Sequence, residues 1–253
     1  MRISDRVWSN YIKKLRAFND KAASLVAKYY ETHTITSTDD LNRLIEYSYA
    51  VATKYGEGAA ALSAEMYDAI AELSGVFLPP AETAPTATVS ETARAVNGAR
   101  LFSQDPEVIG SAIGRLVKQA GVDTTMQNAL RDGAEWAWIP RGDTCAFCLT
   151  LASRGWQRAS RKALKNGHAE HIHNNCDCTY AIRFNDDTDV EGYDPDAYYD
   201  MYKSEPGTPE QKINALRRKF YQENKDAINA QKRSAYAKRK ELNSSAAEEI
   251  DIK

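Results

Sequence analysis

Apolar residues recur along the first third of the chain at steps of three and four. Trp8, Ile12, Leu15, Ala22, Leu25, Val26 and Tyr29 fall on one stripe of a first helix. Leu41, Leu44, Ile45, Val51, Tyr55, Ala59, Leu62, Met66, Ile70 and Leu73 do the same for a second, capped by Thr38 or Asp39 and stopped at Ser74-Gly75. The two are expected to pair as an antiparallel hairpin. The period is then lost. Leu78 to Ser90 is rich in proline and threonine, and proline withholds the amide donor that a helix or central strand needs, so this stretch reads as an extended strap and linker. Helical spacing returns at Asp105-Pro106 with Ile109, Ile113, Leu116 and Val117, ended by Gly121; Asp123 then caps a shorter helix that stops near Gly133.

The centre switches to a period of two. Trp136-Ala-Trp138-Ile alternates up to Pro140, and Thr179-Tyr180-Ala-Ile182-Arg-Phe184 alternates again. Two such strands make a small ribbon, with Trp136 and Trp138 on the face that meets Tyr180, Ile182 and Phe184; these tryptophans read as core rather than as a stacking surface. Phe147 to Arg154 reads as one or two helical turns, and the basic run Arg158 to Lys165 as an exposed loop or helix. Asp194-Pro195 supplies the cap and first turn of a short helix carrying Tyr198, Tyr199, Met201 and Tyr202. Thr208-Pro209-Glu210-Gln211 joins a capping box to a first-turn proline and opens a helix expected to run to about Leu242.

The pattern therefore predicts a mainly α chain with a small β-ribbon, in four parts. Residues 1–77 form a helical hairpin, 78–92 a linker, 93–205 a central α+β module, and 206–253 a basic helical tail. Composition adds little to this: 43% hydrophobic, 27% charged, a formal net charge of -2. No apolar run approaches the roughly 20 residues that a bilayer helix requires.

Charge distribution says more than net charge. Between Asn185 and Glu210 there are nine acidic residues and one lysine, whereas Lys212 to Asn243 holds ten Lys or Arg against three acids. Asp187-x-Asp189-x-Glu191-Gly192 imitates the start of a calcium loop, but its twelfth position is Tyr198, which supplies no carboxylate, so that reading fails. In the tail, two imperfect copies of a basic, tyrosine-punctuated unit place Arg217, Arg218, Lys219, Tyr221 and Lys225, then Lys232, Arg233, Tyr236, Lys238, Arg239 and Lys240. Cations interleaved with aromatics suit phosphate contact and base stacking, making these the candidate nucleic-acid residues. A solvated amphipathic helix burying Ile213, Leu216, Phe220 and Ile228 explains the same pattern, and the two can coexist on opposite faces.

All four cysteines stand in one region, as Cys145-x-x-Cys148 and Cys176-x-Cys178, with His168, His171 and His173 just ahead of the second pair. Thiolates and imidazoles are the ligands of tetrahedral zinc, and two pairs brought together from distant positions commonly supply four of them. Cys145, Cys148, Cys176, Cys178 and His173 are five candidates for four places around a structural Zn²⁺. Disulfides are the competing reading; Met1 to Ser9 has neither a basic nor an apolar export signal, which disfavours them.

Ile139-Pro-Arg-Gly-Asp-Thr-Cys145-Ala-Phe-Cys148-Leu-Thr-Leu-Ala-Ser-Arg-Gly155, followed by His173-Asn-Asn-Cys176-Asp-Cys178, resembles the signature of the Mu F-like minor head proteins of tailed bacteriophages, in particular a cysteine-bearing branch from phages of Gram-positive hosts. Tyr55 to Tyr67 and Gly192 to Tyr199 fit the same group, so the resemblance spans about residues 40 to 205. Where that group commonly has His-Pro before the last cysteines, this chain has His173-Asn174.

The resemblance implies a non-enzymatic minor capsid protein of the virion. It would be made in the bacterial host cytoplasm and incorporated in the capsid interior near the portal. The portal protein, the major capsid protein and packaged DNA would be its partners, and head assembly and DNA packaging or delivery its task. The alternative is a zinc-bound nuclease of the His-Asn-His type, suggested by the clustered histidines, Asn174-Asn175 and the basic helix. It lacks any histidine after His173 to complete a catalytic Mg²⁺ site. A maturation protease finds no Ser/His pairing outside the cysteine loops.

Overall fold

The computed structural model describes residues 2–140, 145–160 and 178–223, together with positions 225, 226, 229, 230 and 233. In chain order the elements are β1 (Arg2–Ile3), α1 (Asp5–Thr32), α2 (Thr38–Leu73), α3 (Val89–Phe102), α4 (Pro106–Asp132), β2 (Glu135–Ile139), α5 (Ala146–Ala152), β3 (Gln157–Arg158), β4 (Thr179–Arg183), β5 (Asp189–Val190), α6 (Pro195–Ser204) and α7 (Pro209–Glu223). The described residues are thus mainly helical with two small sheets.

The first helix forms as its apolar stripe predicts, burying Trp8, Tyr11, Ile12, Leu15, Ala22 and Val26. Helix α2 runs antiparallel to it: the Tyr11 hydroxyl meets Ser63 Oγ at 3.0 Å, Phe18 lies against Gly58, and Tyr29 stacks on Tyr47 at 4.4 Å. The cap of α2 is Ser37, one residue before the expected Thr38. Its hydroxyl accepts from the Asp40 amide at 3.1 Å while the Asp40 carboxylate accepts from the Ser37 amide at 3.0 Å. Only at Ser37 do both halves of this box close, each satisfying a donor that the helix itself leaves unpaired.

Beyond the hairpin, the structure departs from the sequence pattern in four places. Residues 78–88 are extended, yet they are fastened to the bundle. The amides of Ala81, Glu82 and Ala84 donate to Asp68 Oδ1, Asn128 Oδ1 and Thr124 Oγ1 at 2.8, 3.0 and 2.9 Å. Arg131 donates in turn to the carbonyls of Pro79 and Pro80. The segment with no periodicity finds its backbone partners in polar side chains of α2 and α4, as a buried strap must.

Helix α3 was not anticipated. Thr88-x-x-Glu91 is its capping box, with Thr88 N to Glu91 Oε2 at 2.8 Å and Glu91 N to Thr88 Oγ1 at 3.2 Å. Only Thr92 and Val96 of this helix are buried, too few to announce a stripe.

Helix α4 is continuous through Gly121 and Asp123. Gly121 is no stop: a Cβ there would stand 2.8 Å from Ser63 Oγ and 3.3 Å from the Ala59 carbonyl oxygen. Gly110 and Gly114 approach the α1 carbonyls of Ala23 and Asn19 in the same way. These glycines let α4 sink between α1 and α2, the two elements it packs against most extensively. Asp123, expected as a cap, accepts instead from Gln119 Nε2 at 2.8 Å. The helix ends at Gly133, whose φ of 68° is the left-handed C-cap that glycine tolerates. The linker proposed at 78–92 therefore lies between elements that share one hydrophobic core.

Strands β2 and β4 pair antiparallel in the expected register, Trp136 opposite Ile182 and Trp138 opposite Tyr180, with β3 added on the far edge of β2. The Tyr180 ring meets both indoles edge-on, at 4.8 and 4.6 Å, and Phe184 meets Tyr67 of α2 at 5.6 Å. Arg183 closes the outer end on Glu135, its cross-strand partner, at 2.6 Å. The chain start was not expected in a sheet, yet β1 pairs parallel with β5, and Glu191 accepts from the Asp5 amide at 2.8 Å. Part of the acidic block thus serves as caps: Glu191 for α1, and Asp194 for α6 as predicted.

Candidate functional site

Two of the described cysteines are deeply buried. Cys148 on α5 and Cys178 just before β4 are each 1% exposed and belong to the hydrophobic core, while half-buried Cys145 packs against it at the residue preceding α5. Helix α5 lies on β2, and Cys178 precedes Thr179, which pairs with Ile139 at the end of that strand. The fold thus carries both cysteine motifs to the same ribbon. Cys176, His173, His168 and His171 lie outside the described residues. Among the described residues no group of three or more His, Cys, Asp or Glu is arranged to hold a metal. What they supply is buried thiol sulfur, the donor chemistry that suits zinc.

The walls around these sulfurs are aromatic and cationic. Trp138 Nε1 and the Tyr180 hydroxyl are buried without a hydrogen-bond partner. Burial drives the Tyr180 phenol far above its ordinary range; Arg154 pulls it down and the neighbouring Cys148 pushes it further up. Lys118 of α4 is only 8% exposed; its Nζ donates to the Cys178 carbonyl at 2.6 Å and stands 5.9 Å from the Trp138 ring. No motif or run of charge singled out this lysine in the sequence. Its signal was nevertheless there: Lys118 occupies the same helical stripe as Gly114, Gly121 and Val122, where an apolar residue belongs.

The basic residues divide. Arg217 and Arg218 are exposed on α7, Tyr221 is 40% exposed, and Lys225 and Arg233 are exposed helical positions. Lys219 is engaged by Glu205 at 2.5 Å, which raises its pKa and anchors α7 to the end of α6. Leu216 is buried on the opposite face, with Ile213 and Phe220 half-buried. Lys232, Tyr236, Lys238, Arg239 and Lys240, and the helix expected to reach Leu242, fall outside the described residues beyond position 233. Helix α7 packs on both α5 and α6, so the basic segment adjoins the cysteine-bearing helix.

The family model of the VG15 protein matches residues 2–205. The chain belongs to the VG15 family. This is a family of viral, phage proteins. The match covers the helical bundle, the ribbon and both cysteine motifs, and stops at Glu205, before the basic segment of this VG15 protein begins. Comparison with curated proteins and with solved structures gave no match. No helix among the described residues is long and apolar enough to cross a membrane.

Proposed function

We propose that this VG15 protein is a non-enzymatic minor capsid protein of a tailed phage, seated in the capsid interior near the portal, where it serves head assembly and DNA packaging or delivery. The observation that carries this reading is the family match over residues 2–205, which takes in the whole cysteine-bearing segment that resembles the Mu F-like minor head proteins. The long bundle, with its charged outer faces, suits a protein that works by contact with other chains. The portal and the major capsid protein are its partners in this reading.

A structural zinc completes the proposal, held by Cys145, Cys148 and Cys178 with Cys176 or His173. Burial of Cys148 and Cys178 supports it, since a closed structural site excludes water. The ion would tie α5 to the start of β4 across a segment with little apolar residue of its own. The basic tail would face packaged DNA through Arg217 and Arg218, with Leu216 turned to the protein.

The deciding experiment is quantitative mass spectrometry of purified heads, tail-less particles and lysate. The protein should co-purify with portal-containing heads at a few copies per particle, and metal analysis of the isolated chain should give about one zinc. Its absence from purified heads would overturn the capsid assignment; a metal-free folded chain would overturn the zinc alone.

A further inference from the structure

We propose that Lys118 is the positioning residue of the cysteine centre: its ammonium fixes the main chain at Cys178 and sets a buried positive charge beside the thiolates. The proposal rests on the reading of that centre as a metal site.

An ammonium withdrawn from water is costly unless it is partnered, so a lysine does not enter a helix's buried stripe for packing alone. Here the amine leaves α4 and reaches the carbonyl of Cys178 at 2.6 Å, a short charge-assisted bond. Cys178 is the last residue before β4, so the bond clamps the point where the second cysteine pair enters the ribbon. The Trp138 ring, 5.9 Å from Nζ, gives the cation a second favourable face. Between them, these contacts tie three elements, α4, β2 and the start of β4, to one atom.

A carbonyl needs only an N–H donor, which a neutral side chain can supply. What the ammonium adds is a full positive charge. Cysteines that bind a divalent ion do so as thiolates, and three or four of them leave the site with a net negative charge in a low-dielectric wall. The Lys118 ammonium is placed to offset that charge. Groups standing behind metal ligands in this way hold their orientation and raise affinity.

The test uses the full-length chain carrying Lys118→Met, Lys118→Gln or Lys118→Arg. Cobalt is titrated and followed by its thiolate charge-transfer absorption, zinc affinity is measured by competition with a chromophoric chelator, and circular dichroism of the metal-free forms checks the fold. Lys118→Met and Lys118→Gln should weaken zinc binding by about 10- to 100-fold, and Lys118→Arg, which keeps the charge, should stay within about threefold of the natural chain. Should Lys118→Met fail to fold, the glutamine and arginine variants carry the comparison. Equal affinity in glutamine, arginine and natural proteins reduces Lys118 to a strut between helix and ribbon and overturns the proposal. A natural chain that takes up neither cobalt nor zinc removes the metal reading itself, a result distinct from equal affinities.

Discussion

Gly110 of α4 lies so close to Ala23 of α1 that a Cβ on it would stand 2.3 Å from the Ala23 carbonyl oxygen. The obstacle is backbone in a long helix, which cannot step aside as a side-chain tip could. Gly110→Ala must therefore push α4 off α1. A destabilisation of about 1–3 kcal/mol is expected, the range for overpacking a filled interior. Gly98 of α3 is the control. It is exposed, helical and has nothing within 4 Å of its would-be Cβ, so Gly98→Ala should stabilise by about 0.4–1 kcal/mol. Urea denaturation of the two variants measures both; a milder effect at Gly110 than at Gly98 contradicts the packing described.

Asn128 holds the strap. It is 1% exposed, accepts from the Glu82 amide at 3.0 Å and donates to the carbonyls of Glu82 and Thr124 at 2.8 and 2.7 Å. Asn128→Ala leaves backbone groups of the strap unpaired, at a cost of about 1–3 kcal/mol. Residues 78–88 should then become a preferred site of limited proteolysis. A variant as stable and as protease-resistant as the natural chain would show that the strap is held by other contacts.

The start of α3 should respond to acid. Hydrogen bonds from the Thr88 amide and hydroxyl hold the Glu91 carboxyl below its ordinary value of 4.5. A depressed folded pKa contributes stability that is complete above 4.5 and fades as pH falls through the lowered value. Glu91→Gln removes that contribution. The difference in melting temperature between the natural chain and the variant should be largest at neutral pH and shrink below about pH 4.5. A difference that stays constant down to strongly acidic pH would assign the effect to shape rather than charge.

DNA contact through the tail makes its own demand. Affinity for a short random duplex, followed by fluorescence anisotropy, should fall linearly on a log–log plot against salt. Replacing exposed Arg217 and Arg218 together by alanine should reduce the slope by about 2, one for each phosphate left without its cation. Lys219 is committed to Glu205, so Lys219→Ala should loosen α7 from α6 while leaving the slope nearly unchanged. Equal slopes in all the variants would make α7 a solvated amphipathic helix and nothing more.

Much of this was legible because the signals are local. The stripe from Trp8 to Tyr29 and the alternation about Trp136, Trp138, Tyr180 and Ile182 each depend only on the repeat of the backbone, 3.6 residues or two. The caps at Asp105, Asp194 and Thr208 are equally local, since a short polar side chain meets an amide two or three residues on. Helix α3 escaped because Thr88 and Glu91 announce a start but only Thr92 and Val96 mark a buried face. Gly121 misled because the same missing Cβ serves a helix end and a close crossing, and spacing along one chain does not tell them apart.

Of the cysteine centre, sequence alone determined the donors: two pairs of thiols, near histidines, in a chain of otherwise ordinary composition. It also determined most helices and both main strands, because those follow from periodicity and capping within a few residues. Tertiary structure alone decided the rest. Only the fold shows Gly110, Gly114 and Gly121 opening a place for α4 between α1 and α2, the strap finding Asn128, and Lys118 reaching Cys178 from sixty residues away. Each joins groups far apart in the chain, and such pairings are set by which surfaces can be buried together, a property of the packed whole rather than of any segment.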